Sequence, residues 1–65
     1  MLTSNVKQLM EVKGVTIRAM VADTGLADVT ILRARREQIA QCKLETLVSI
    51  AKCLGCKAKD LFEET

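Results

Sequence analysis

Val29, Thr30, Arg33 and Arg36 are the side chains best placed by type and spacing to do chemistry on another molecule. At ~100° per residue, a helix through this stretch puts Val29, Arg33 and Arg36 along one line, flanked by Thr30 and Leu32. Such a face suits the edges of nucleic-acid bases. Arginine bridges the O6 and N7 of guanine, threonine hydrogen-bonds to base edges, and an aliphatic group meets the thymine methyl. An ordinary solvent-facing arginine cluster would have the same makeup, so the face alone leaves both readings open. The cysteines offer a second chemistry. Cys53-Leu-Gly-Cys56 has metal-like spacing and Cys42 could join it, but structural zinc takes four Cys or His ligands and the chain has three Cys and no His. Small-hydrophobe packing is the expectation for these thiols, with no metal and no cofactor. Catalysis is not expected either: there is no activated nucleophile and no glycine-rich phosphate loop, and 65 residues leave little room for a small-molecule pocket.

The elements that must hold the arginine face follow from periodicity. Residues 1–13 read as a first helix, with Val6, Leu9 and Met10 on one side, Ser4 or Asn5 as the cap and Gly14 as the stop. Thr16 caps a second helix, Ile17 to Thr24, and Gly25 ends it. Three residues, Gly25-Leu26-Ala27, lead into a third helix, Asp28 to Arg36, whose inner side is Ile31 and Ala34. So short a turn forces a steep crossing, the geometry of a helix-turn-helix. Residues 37–43 read as a loop with Ile39 and Cys42 tucked inward and with Gln38, Gln41 and Lys43 free for phosphates. The fourth helix, Leu44 to Leu54, carries Leu44, Leu47, Val48, Ile50, Ala51 and Leu54 as a wide core face. Gly55 closes it, and a fifth helix, roughly Lys57 to Glu63, packs Leu61 and Phe62 on the bundle.

Composition bounds the answer. The chain length predicts one domain over residues 1–65, and 49% hydrophobic residues with a single aromatic, Phe62, require an aliphatic core. The absence of proline and the long-period patterning point to an all-α fold. No apolar run approaches the roughly 18 residues of a membrane span. Lys7 and Glu11 interrupt any leader-like stretch, and three cysteines fit a reducing compartment, so a cytoplasmic location without membrane contact is expected. The net charge of +2 is uneven. Lys13, Arg18, Arg33, Arg35, Arg36 and Lys43 face Asp23, Asp28 and Glu37 within residues 13–43, an excess of three, whereas residues 44–65 carry −1. The basic excess coincides with the two central helices and the loop after them, as a phosphate-facing surface requires.

In that order and spacing, GVTI at 14–17, ADTGL at 22–26, TI at 30–31 and LETLVSIAKCLGCKAKDLFEE at 44–64 resemble the lambda-repressor/Cro-like helix-turn-helix regulators, the Xre family. The resemblance covers about Val6 to Glu63. It implies a compact five-helix DNA-binding domain with helices two and three as the reading pair. Asp28, Val29, Thr30, Leu32 and Arg33 would meet base edges. Thr16 and Arg18 at the start of helix two, and Arg36, Gln38 and Lys43 after helix three, would meet phosphates. A homodimer on a palindromic operator in double-stranded DNA is implied, with half-sites ~34 Å apart. The sequence departs from the pattern in three places. Ile17 stands where a phosphate-holding Gln is usual, Ala27 stands where a capping Ser is usual, and EQIAQCK replaces the common basic loop. Asp28 either takes over the cap at the helix N-terminus or faces DNA, where it would repel phosphate or accept from cytosine. The expected function is a sequence-specific transcriptional regulator, a small phage- or prophage-type repressor acting by operator occupancy. The alternative is a protein-interaction module or antirepressor on the same fold, with weak or no DNA binding.

Overall fold

The computed structural model describes residues 1–64. A short strand, β1 (Leu2–Ser4), precedes α1 (Val6–Lys13), α2 (Ile17–Thr24), α3 (Asp28–Ala34), a 3-10 turn at Glu37–Gln41, α4 (Leu44–Leu54), a second 3-10 turn at Ala58–Leu61, and β2 (Phe62–Glu64). The fold is mostly helical; α1 to α4 come in the expected order, and α2 and α4 have the expected bounds. Two expectations at the ends of the chain are overturned together. Residues 1–13 do not form one helix, and Lys57 to Glu63 do not form a fifth α-helix. Instead β1 and β2 pair antiparallel, with Leu2 opposite Glu64, Thr3 opposite Glu63 and Ser4 opposite Phe62. The ribbon satisfies backbone groups of both segments across the fold, and the Asn5 N–H extends it by donating to the Leu61 carbonyl at 2.7 Å. The fold is therefore not purely α.

Local chemistry explains each helix boundary. Asn5 stands at the N-terminus of α1, but its side chain does not cap. The Ser4 hydroxyl accepts from the Val6 N–H at 3.3 Å instead. Thr16 caps α2 as expected, accepting from the Ala19 N–H at 3.1 Å. Gly25, at φ 74°, ends α2 in the left-handed region and donates to the Val21 carbonyl at 3.0 Å. Helix α3 stops at Ala34, two residues short of the expected Arg36. Arg36 is already extended at φ −124°, ψ −173°, and the Ser4 hydroxyl reaches across from β1 to donate to the Ala34 carbonyl. The residues after it, expected as a loop, wind into a 3-10 turn pinned by Ile39, which is buried. Cys42 follows half-buried, its thiol donating to the Gln38 carbonyl at 3.7 Å.

One aliphatic core joins these elements. Val6, Met10, Met20, Ile31, Ala34, Ile39, Leu47, Ile50, Ala51, Leu54 and Leu61 are buried, and among the described residues no polar side chain is buried with them. Helix α2 packs on both α3 and α4, and α4 packs on the second 3-10 turn. Leu61 is fully buried and anchors the C-terminal segment although no helix carries it; such burial contributes about 1.5–3 kcal/mol. Phe62 is only half-buried. Leu44 and Val48, expected in the core face of α4, are exposed. The inward arc of α4 is narrower than its apolar composition suggested and centres on Leu47, Ile50, Ala51 and Leu54. Val48 lies ~100° from Leu47 around the axis and Leu44 ~60° on the same side.

Candidate nucleic-acid interface

The turn between α2 and α3 is held from inside by Thr24. Its hydroxyl donates to the Met20 carbonyl at 2.7 Å and accepts from the Leu26 N–H at 3.2 Å. This pair of hydrogen bonds to the backbone fixes where α3 begins, a task the sequence had suggested only for Gly25. Ala27 at the N-terminus of α3 has no capping group. Asp28 is the first helical residue, and its carboxylate accepts from the Val29 N–H at 2.8 Å. Its charge therefore sits at the positive end of the helix dipole, a favourable placement.

Helix α3 divides cleanly. Ile31 and Ala34 are fully buried, while Val29 is 48% exposed, Leu32 38% exposed, and Arg33 and Arg36 extend into solvent. Three shallow concavities adjoin along this outer side. Val29, Leu32, Arg33, Arg36 and Gln38 line the first. The second opens from Thr30 and Arg33 toward Gln41, Lys43 and Thr46 at the start of α4. Arg33 and Gln38 belong to both and form the ridge between them. The third brings Lys7 of α1 beside Leu32, Arg35 and Arg36. Lys7, Arg33, Arg35, Arg36 and Lys43 thus border one continuous surface to which, among the described residues, no carboxylate contributes a wall.

Of the residues singled out in the sequence, Val29, Thr30, Leu32, Arg33, Arg36, Gln38 and Lys43 gather on this surface. Thr16, Arg18 and Asp28 do not line it. Thr16 and Arg18 are exposed at the first turn of α2, the Thr16 oxygen engaged in capping, and Asp28 is engaged at the start of α3. The sequence reading missed Thr46 and Lys7 as lining residues and counted Arg35 only in the basic excess of residues 13–43. Thr46 falls between core positions of α4 and reads as a gap in its apolar face. Lys7 is remote in sequence from α3, and only packing brings it there.

Long cationic side chains around a protruding helix can grip phosphates on both sides of a groove while short groups approach base edges. At 1.5 Å per residue the seven residues of α3 span about 10 Å, and a helix of 10–12 Å diameter suits a major groove about 12 Å wide. Burial pushes Cys42, Cys53 and Cys56 above their ordinary pKa. Arg33 partly opposes the shift at Cys42, Asp23 adds to it at Cys53, and at Cys56 Asp60 adds while Lys13 opposes. Among the described residues, no three Cys, Asp or Glu side chains converge in a way that could hold a metal ion, and no helix is long and apolar enough to cross a membrane.

Comparison with known families places the same residues in context. A family model described as the Cro/C1-type HTH DNA-binding domain matches residues 5–64. No curated protein and no solved structure matches the chain.

Proposed function

The chain belongs to the Cro/C1-type HTH DNA-binding domain family, and from that premise we propose that it is a sequence-specific transcriptional repressor acting by operator occupancy. The whole chain serves as one DNA-binding domain of the phage or prophage type and works in the cytoplasm on the nucleoid. Helix α3 enters the major groove with Val29, Thr30, Leu32 and Arg33 toward base edges. Arg36, Gln38 and Lys43 hold the phosphates on one side, and Thr16 and Arg18 at the start of α2 hold those on the other. Asp28 stays at the N-terminus of α3, where its carboxylate accepts from the Val29 N–H. Two copies bind a palindromic operator. The observation that carries this reading is the carboxylate-free cationic surface centred on Arg33, built on the outer face of α3.

Fluorescence anisotropy on a duplex selected from random DNA tests the reading. Affinity falls steeply with rising salt, because each phosphate contact releases a condensed counterion. Arg33→Ala relaxes base preference at one position, at a cost of about 1–3 kcal/mol against the preferred base. Undiminished affinity in a variant lacking both Arg33 and Arg36 would refute the assignment. The exposed Val29 and Leu32 on the reading face favour a second reading, a protein-binding module on the same fold. That module would show salt-insensitive capture of a protein and no selected DNA site.

A further inference from the structure

Helix α4 turns two large aliphatic side chains to solvent: Leu44 is 73% exposed and Val48 is 42% exposed. Neither lines the cationic surface around α3. Four residues apart, they stack on one line of the helix, and Lys52 continues that line one turn further on. Glu45 lies seven residues before Lys52, about 20° from it around the axis, so acid and base share one flank of the stripe. The face thus carries an apolar and acidic end at Leu44 and Glu45, Val48 at its middle, and a basic end at Lys52. Read in reverse, the same face is its own electrostatic complement.

We propose that this outer face of α4 is a self-pairing surface, and that its occupant is α4 of a second copy of this chain, docked antiparallel about a two-fold axis at Val48. Along the helix Leu44 lies about 6 Å and Glu45 about 4.5 Å before Val48, and Lys52 about 6 Å after it. Reversal about Val48 therefore brings the partner's Lys52 level with both Leu44 and Glu45. Val48 meets the partner's Val48, Leu44 packs on the aliphatic stem of the partner's Lys52, and the Glu45 carboxylate takes its ammonium. Two-fold symmetry makes the Leu44–Lys52 and Glu45–Lys52 contacts twice, while the Val48 pair, on the axis, forms once. A parallel arrangement would set Glu45 against the partner's Glu45 and Lys52 against the partner's Lys52, and like charges disfavour it. The patch is far smaller than the roughly 800 Å² per partner typical of stable complexes, so pairing is weak in free solution and strengthens when DNA holds two copies side by side. The inference deepens the homodimer of the proposed function, but pairing in the absence of DNA tests it separately from any reading of DNA.

Sedimentation velocity of the full chain, without DNA and at concentrations up to about 1 mM, decides the matter, with circular dichroism confirming that each variant is folded. The wild type passes from monomer toward dimer as concentration rises. Val48→Asp weakens association at least tenfold. Glu45→Lys and Lys52→Glu each weaken it about threefold to tenfold, because each places like charges opposite one another twice, and the double variant Glu45→Lys/Lys52→Glu returns to within about threefold of wild type. A wild type that stays monomeric throughout overturns the proposal. So does a folded Val48→Asp variant that dimerises as well as wild type, or a double variant that fails to regain what the single ones lost. DNA binding that fails while this pattern holds would remove the regulator reading and leave the surface intact.

Discussion

The hydroxyl of Ser4 donates to the main-chain carbonyl of Ala34, thirty residues away, joining β1 to the last turn of α3. The same oxygen accepts from the Val6 N–H at 3.3 Å. One side chain therefore starts α1 and helps to end α3, with Arg35 and Arg36 released immediately beyond. Ser4→Ala removes both bonds and leaves a part-buried carbonyl unpaired. The expected cost is about 1–2 kcal/mol, which for a domain of this size lowers the melting temperature by roughly 4–16 °C at about 4–8 °C per kcal/mol. Thermal denaturation followed by circular dichroism measures it. A melting temperature within a degree of wild type would mean that the β1 contact is dispensable.

The turn into α3 gives a second stability test with two separable parts. Gly25 holds φ 74°, and a β-carbon added there would meet no atom within 4 Å. The cost of Gly25→Ala is therefore backbone strain alone, about 1–2 kcal/mol for an L-residue held left-handed. Thr24→Val keeps the shape of the side chain but loses the bonds to the Met20 carbonyl and the Leu26 N–H, and about 1–2 kcal/mol should follow. The two act on one turn, so their effects need not add. Urea denaturation of both single variants and the double variant resolves the coupling, and a Thr24→Val variant as stable as wild type would deny the hydroxyl its place in the turn.

The three thiols yield a prediction with a definite sign. Each is held above its ordinary value of 9.0, with burial the largest cause. Below that pH the folded and unfolded thiols are both protonated, and they contribute nothing to pH dependence. As pH rises past 9.0, the unfolded thiols ionise first, so the stability tied to the protonated form is lost progressively toward the higher folded values. A variant with all three cysteines replaced by alanine should therefore lose less melting temperature than wild type between about pH 8.5 and 10.5. At neutral pH, alkylation of the folded chain by iodoacetamide should be slower than that of free cysteine, since the thiolate is the reactive form. Faster alkylation would contradict the burial of these groups.

Much of this architecture could be read from residue order, and its failures share a cause. Met20, Ile31, Leu47, Ile50 and Leu54 are inside because helical spacing alone puts them on one face, and Gly14, Gly25 and Gly55 end helices because only glycine adopts positive φ freely. The ribbon of β1 and β2 was illegible because two three-residue segments at opposite ends of the chain have no periodicity of their own. Only pairing across the fold makes them strands. Leu44 and Val48 were read as core because composition shows that a face is apolar without showing how wide an arc the neighbours cover. On the candidate surface, Val29, Arg33 and Arg36 were legible as one helical face, whereas Lys7 of α1 joins Leu32, Arg35 and Arg36 only through the fold.

That long-range placement supports the sharpest prediction for binding. Arg33 forms the ridge between two concavities that also contain Val29 and Thr30, next to the groups assigned to base edges. Lys7 and Arg35 lie on the far side of Arg36, in a concavity they line together with Leu32 and Arg36. Cations in the second position can neutralise a phosphate but have no short polar neighbour to sort one base from another. Arg33→Ala should therefore change which sequences are preferred, with a loss concentrated at one base position. Lys7→Ala and Arg35→Ala should instead weaken all duplexes nearly equally, and each should reduce the slope of log K against log salt by about 1. Anisotropy titrations against the selected duplex and its single-base variants, at three or more salt concentrations, separate these outcomes. An Arg33→Ala variant with unchanged base preference would move Arg33 to the phosphate-holding group. Unchanged salt slopes for Lys7→Ala and Arg35→Ala would place the end of α3 beyond the reach of the DNA backbone.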